Sequence, residues 1–138
     1  AFTFAFDDLY SVEDIRLSVD NNDSYALDYS TDNQSWTSLF TILPTYGEIG
    51  RGMDTMSSVL GDAEYVSQID FSPVVARYVR IQATGGDNSY AIGEVAFGGT
   101  RIQQQTAQPA ATVPEPGMLA LLGIALGAGL VARRRREA

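Results

Sequence analysis

The run Ile15-Arg16-Leu17-Ser18-Val19-Asp20-Asn21-Asn22-Asp23-Ser24-Tyr25-Ala26-Leu27-Asp28-Tyr29 decides the fold class. Ile15, Leu17 and Val19 alternate with Arg16 and Ser18, and Tyr25, Leu27 and Tyr29 alternate with Ala26 and Asp28. A period of two puts the apolar side chains of each run on one face, the pattern of a half-buried strand. Asp20 to Ser24 between them is a cluster of turn formers, whose short polar side chains bond nearby backbone. Towards the N-terminus, Phe2, Phe4 and Phe6 alternate with Thr3 and Ala5 in the same way. Towards the C-terminus, polar Ser30 to Ser35 leads into a strand-like Trp36 to Ile42, which predicts a hairpin.

From Leu43 to Asp62 the alternation weakens, and Pro44, Gly47, Gly50, Gly52 and Gly61 punctuate it. An irregular connection with room for one short strand is expected there. Order returns over Tyr65 to Phe71 and breaks at Ser72-Pro73. Ala76 to Ala83 reads as the next strand, Thr84 to Asn88 as a turn, and Tyr90 to Phe97 as the last strand, closed by Gly98-Gly99. No window shows a sustained helical period. Short strands separated by Gly, Asn and Asp turns predict an all-β antiparallel sandwich or barrel over residues 1–99. Residues 100–112 are polar, small and proline-containing, and read as a linker.

Composition removes several chemistries. The chain has no His and no Cys. That excludes a Ser-His-Asp triad, imidazole and thiolate metal ligands, disulfides and thiol nucleophiles. Net charge is -8, but it is unevenly spread. Residues 1–112 hold five arginines against fifteen acids, a net -10, and residues 113–138 hold four arginines against two acids, a net +2. A body that acidic repels phosphate, so a nucleic-acid partner is not expected.

The C-terminal segment has three parts. Val113-Pro114-Glu115-Pro116 is held extended by its two prolines. Met118 to Ala132 carries no polar side chain over 15 residues. As a helix it is about 22 Å long at about 1.5 Å per residue, short of the about 20 residues that usually span a bilayer. Snorkelling arginines and local thinning offset part of that deficit. The run Arg133-Arg134-Arg135-Arg136 closes the chain, and the positive-inside rule places it in the cytoplasm with the body outside. Pro-Glu-Pro, a short Gly/Ala/Leu helix and a terminal Arg cluster, in this order, resemble the PEP-CTERM sorting signal of Gram-negative bacteria. The resemblance implies recognition of Pro114, Glu115 and Pro116 by an exosortase, a membrane stay through 118–132, and release or transfer to the cell surface. A plain membrane anchor is the alternative.

The body carries a second resemblance. Tyr25 to Trp36, with Ser30, Asp32 and Asn33 ahead of the Trp, is similar to the "Ser-x-Asp-Gly-x-x-Trp" hairpin of discoidin domains. These are also called coagulation factor 5/8 type C domains. Asn33 stands at the usual Gly, a position of positive φ that Asn tolerates. Ala76-Arg77-Tyr78-Val79-Arg80-Ile81 and Ile92-Gly93-Glu94-Val95 resemble the closing strands of the same family. The family fold is a galactose-binding-like, jelly-roll β-sandwich, and many bacterial members bind carbohydrate. The match starts partway through the family pattern, and the chain begins without Met, so a C-terminal fragment or an incomplete gene product is expected.

The resemblance implies a structural calcium role for Glu94, with the Ala91 carbonyl as a second ligand. The competing reading is an ordinary carboxylate paired with Arg77 or Arg80. Asp20, Asn21, Asn22 and Asp23 offer oxygens but lack the spacing of a calcium loop and read first as a turn. Trp36, Tyr10 and Tyr46 are aromatics that stack on sugar if exposed, with core packing as the alternative. Asp7-Asp8 is an adjacent acidic pair, and nothing marks a cleft around it, so no enzyme is expected. The reading that follows is an exported bacterial surface protein whose body binds a glycan or exopolysaccharide. A matrix protein without a small ligand, or the tail of a larger secreted enzyme, are the alternatives.

Overall fold

Alternation along residues 15–19 is obeyed side chain by side chain: Ile15, Leu17 and Val19 are buried, whereas Arg16 is exposed. The computed structural model describes residues 1–48 and 52–103. The expected sorting segment, 113–138, lies outside them, as does most of the linker. Within them the chain is all-β, with six strands and one short 3-10 turn. The strands are β1 (Phe2–Asp20), β2 (Ser24–Ser30), β3 (Thr37–Ile42), β4 (Met53–Ser57), β5 (Val74–Gly85) and β6 (Ile92–Arg101). All the strand pairs are antiparallel.

The sheet runs β3-β2-β5-β1-β4, and β6 pairs with β1. The 19-residue β1 organises it. Its first half lies along β5, with Phe2 opposite Ile81 and Val12 opposite Val74. From Arg16 onward β4 borders it instead, with Leu17 opposite Met56. β6 follows β1 from Tyr10 to Val19. One strand thus exchanges one neighbour for another along its length, and the sheet curls around it.

Phe2–Phe6 and Ile15–Val19 read as two strands in sequence but are one. The interruption at Asp7-Asp8 is absorbed as an irregularity in register between Ala5 and Tyr10. Bulges of this kind bend a strand and raise its twist without ending it. The Asp20–Ser24 turn does not close a hairpin. β2 pairs with β3 and β5, so the turn carries the chain past β5. The true hairpin is β2–β3, as the Ser30–Ser35 turn predicts. Tyr65–Phe71 is not a strand. Tyr65 makes a single bridge to Ser57, and Ser67–Ile69 forms the 3-10 turn that drives Ile69 into the core.

β6 does not stop at Gly98-Gly99 but continues to Arg101. Those glycines permit a close backbone approach: a Cβ on Gly99 would sit 2.2 Å from the Ser11 carbonyl oxygen. The core gathers the inward faces of β1, β2, β3 and β5, with Met56 from β4 and Ile69 from the 3-10 turn. Phe4, Phe6, Tyr10 and Phe97 pack edge-to-face beside it, with ring centroids 5.3 to 5.6 Å apart. Such contacts add about 0.5–1.5 kcal/mol each beyond area burial. Among the described residues, no helix is long and apolar enough to cross a membrane. The expected helix 118–132 lies outside those residues.

Candidate functional site

The β2–β3 turn is wired by two side chains. Ser30 Oγ accepts from the Asp32 and Asn33 backbone N–H groups at 3.2 and 3.0 Å. Asp32 Oδ1 accepts from Gln34 N at 2.8 Å, from Ser35 N at 2.7 Å and from Ser30 Oγ at 2.9 Å. Asn33 sits at φ 60°, in the left-handed region. These bonds explain why Ser, Asp and a Gly-like residue stand at those positions.

The backbone bonds from Ser35 and Gln34, followed by the Ser30 hydroxyl, favour the Asp32 carboxylate and lower its pKa from 3.8 to about 2. A group depressed on folding stabilises the folded state above its unfolded pKa, and that contribution fades as pH falls through the folded value. The body is therefore expected to lose stability between about pH 4 and pH 2 in acid-unfolding experiments. Asp32→Ala is expected to flatten that loss. An unchanged pH profile would contradict the assignment.

Trp36 ends the turn half-buried, and Arg80 covers one of its faces, with the guanidinium carbon 4.3 Å from the ring centroid. Arg80 also donates from Nη2 to Asp28 Oδ2 at 2.7 Å. Asp28 and Arg80 are register partners across β2 and β5. One face of Trp36 is thus taken up by the protein itself. Arg77 lies over the Tyr78 ring, 5.8 Å from its centroid. Neither arginine pairs with Glu94, which is exposed on β6. The Ala91 carbonyl accepts from Asp20 N and from the Tyr25 hydroxyl, both at 3.0 Å, which engages both of its lone pairs.

Tyr10 is half-buried and donates its hydroxyl to Asp7 Oδ1 at 3.0 Å, and that bond is the first cause of its raised pKa. Tyr46 packs against the core. Arg101 forms an ion pair with Asp7, and its Nε lies 3.5 Å from Asp8 Oδ2. The adjacent acids therefore clasp the end of β6 to the irregular stretch of β1.

At one end of the sheet three loops meet. Asp23 Oδ1 accepts from Asp87 N at 3.1 Å, and Asn22 Nδ2 donates to Asp87 Oδ2 at 2.9 Å. Asn21 Nδ2 donates to the Glu48 carbonyl at 3.1 Å, and Asn21 N donates to the Gly52 carbonyl at 3.0 Å. Gly86 stands at φ 136°, where a Cβ would lie 1.6 Å from Asp23 Oδ1. Tyr90, on the same rim, is 44% exposed and meets Tyr25 edge-on at 6.5 Å.

A family model described as the F5/8 type C domain matches residues 3–96. The chain belongs to the F5/8 type C family. A second model, the PEP-CTERM protein-sorting motif, matches residues 112–136. The F5/8 type C body is thus followed, beyond residues 97–111, by a signal for membrane anchoring, exosortase processing and surface exposure. No curated protein and no solved structure matches the chain at a significant level.

Within the F5/8 type C body, Asp20 and Tyr25 both bond the Ala91 carbonyl, Asp23 bonds the Asp20 carbonyl, and Glu94 is exposed on β6. Sequence reading misses the Arg101 clasp and the Asp87–Asn22 link. Both join residues far apart in the chain, and neither side chain stands in a recognisable spacing.

Proposed function

We propose that the F5/8 type C body is a non-enzymatic module that binds carbohydrate or exopolysaccharide matrix outside the cell. In this reading it is a jelly-roll-like sandwich held on the periplasmic side by a helix at 118–132, with Arg133 to Arg136 in the cytoplasm. An exosortase acting at Pro114, Glu115 and Pro116 then passes it to the surface. The observation that carries the reading is the order of the two matches, an F5/8 type C body at 3–96 and a sorting motif at 112–136.

The loop rim supports the ligand class. Tyr90 offers a partly exposed aromatic face in a shallow hollow that it lines with Phe2, Tyr25, Gln82 and Ile92, and the linked Asn22 and Asp87 lie in the neighbouring turns. Saccharides suit an aromatic surface with a few polar groups beside it, here the Gln82 amide. The test is retention of the full chain on exopolysaccharide and on a glycan array, with and without Ca²⁺. Selective retention is expected, and Tyr90→Ala is expected to weaken it about tenfold, or about 1.4 kcal/mol. No retention under any condition, with biofilm altered in a deletion strain, would favour a matrix protein without a small ligand.

A further inference from the structure

None of the described residues that line the Tyr90 hollow carries a charged side chain. Phe2, Tyr25, Ile81, Tyr90 and Ile92 give it apolar surface, and Gln82 gives it an amide. The turns beside it are acidic. Asp20 N and the Tyr25 hydroxyl donate to one carbonyl, that of Ala91, each at 3.0 Å, which sets Asp20 beside a ring of the hollow. Asp23 Oδ1 accepts from Asp87 N at 3.1 Å, and Asn22 Nδ2 holds Asp87 Oδ2 at 2.9 Å. Three carboxylates are thus tied into the turns that precede Tyr25 and Tyr90. Their field reaches the hollow: burial is the first cause that pushes the Tyr25 pKa up, and the charges of Asp23 and Asp20 also raise it.

The cations at this end are fewer. Asn21 bonds the loop that carries Glu48 and Arg51. With that loop and an ammonium at Ala1 counted, four carboxylates (Asp20, Asp23, Glu48 and Asp87) stand against two cations. Arg80 is two residues before Gln82, but it is held by Asp28 Oδ2 at 2.7 Å and covers Trp36. Lys and His are absent from the chain.

We propose that this hollow selects glycans without anionic groups and rejects those that carry uronate, sulfate or phosphate. The inference rests on the glycan-binding reading above and names its ligand class. An anionic sugar would leave water for a surface that offers it no cation, and a desolvated charge without a partner is costly. It would also stand beside the three carboxylates. A unit charge about 8 Å from each of three like charges in water is disfavoured about tenfold in all. A neutral sugar meets neither cost. Its hydroxyls can bond the Gln82 amide, and its C–H face can lie on Tyr90.

The test compares retention of the full chain, in mild detergent, on galactan and β-glucan and on the C6-oxidised uronate form of each. At about 20 mM salt the neutral forms are expected to bind about tenfold more tightly. At about 1 M salt the Debye length is about 3 Å, so the gap is expected to narrow severalfold while neutral binding holds. Asp87→Asn is expected to raise affinity for the uronate forms about twofold at low salt. Asp8→Asn makes the same charge change roughly 20 Å along β1 from Phe2 and is expected to leave both forms unchanged. Equal or tighter retention of the uronate forms at low salt would overturn the selectivity and leave the glycan reading in place. An effect of Asp8→Asn as large as that of Asp87→Asn would overturn the rim as its source. Retention of no glycan at all would remove the reading and the selectivity together.

Discussion

Leu17→Ala is expected to destabilise the body by about 2–5 kcal/mol, because truncating a buried leucine loses its transfer energy and leaves a cavity. Leu17 is fully buried on β1, between Met56 of β4 and Val95 of β6. The site cannot collapse easily, since both neighbouring strands are hydrogen-bonded to β1 at that point. With total stabilities of about 5–15 kcal/mol for such domains, the loss takes a large share. The Tm is expected to fall by roughly 10–30 °C. Leu60→Ala is the control, because Leu60 is 82% exposed and its removal is expected to stay within about 0.5 kcal/mol. Urea unfolding of the two variants gives the comparison. A Leu17→Ala loss below about 1 kcal/mol would mean that β1 is not the shared strand of the sheet.

The strands were readable where burial on one face imposes a period of two. Ile15 to Val19 and Tyr25 to Tyr29 need nothing else, and the positive φ of Asn33 follows from its place in the turn. Pairing was less legible. The Asp20–Ser24 turn looks like a hairpin loop, but β2 gains more by lying against β5, where Leu27 faces Ile81 and Asp28 faces Arg80. Local turn chemistry does not encode that choice. Tyr65 to Phe71 misled because apolar residues two and three apart serve a 3-10 turn as well as a strand.

Candidate sites divided along the same line. The Trp36 hairpin was visible, but the Arg80 guanidinium that covers the ring comes from β5, 44 residues on. The links of Asn21 to the Glu48 carbonyl and of Asp23 to Asp87 depend on which loops the fold brings near, and a linear spacing rule passes over them.

The second large effect concerns the tail. Glu115→Ala is expected to abolish processing, leaving the chain in the membrane fraction at full length. The sorting motif covers residues 112–136, and in the proposed reading Glu115 is the centre of the part that the exosortase reads. Processing changes the physical character of the molecule. Under the proposed cleavage near Glu115 the 15 apolar residues and four arginines would leave, and an acidic body of net about -10 would remain. The Glu115→Ala chain would keep its anchor and fractionate with membranes, whereas the parent would partition to the surface or medium.

Intact-mass spectrometry of the mature protein from its native host tests the exosortase-processed surface protein most directly. The account predicts a C-terminus near Pro114 to Pro116, with Arg133 to Arg136 gone. A mature chain that still ends in Arg133-Arg134-Arg135-Arg136-Glu137-Ala138 would contradict it.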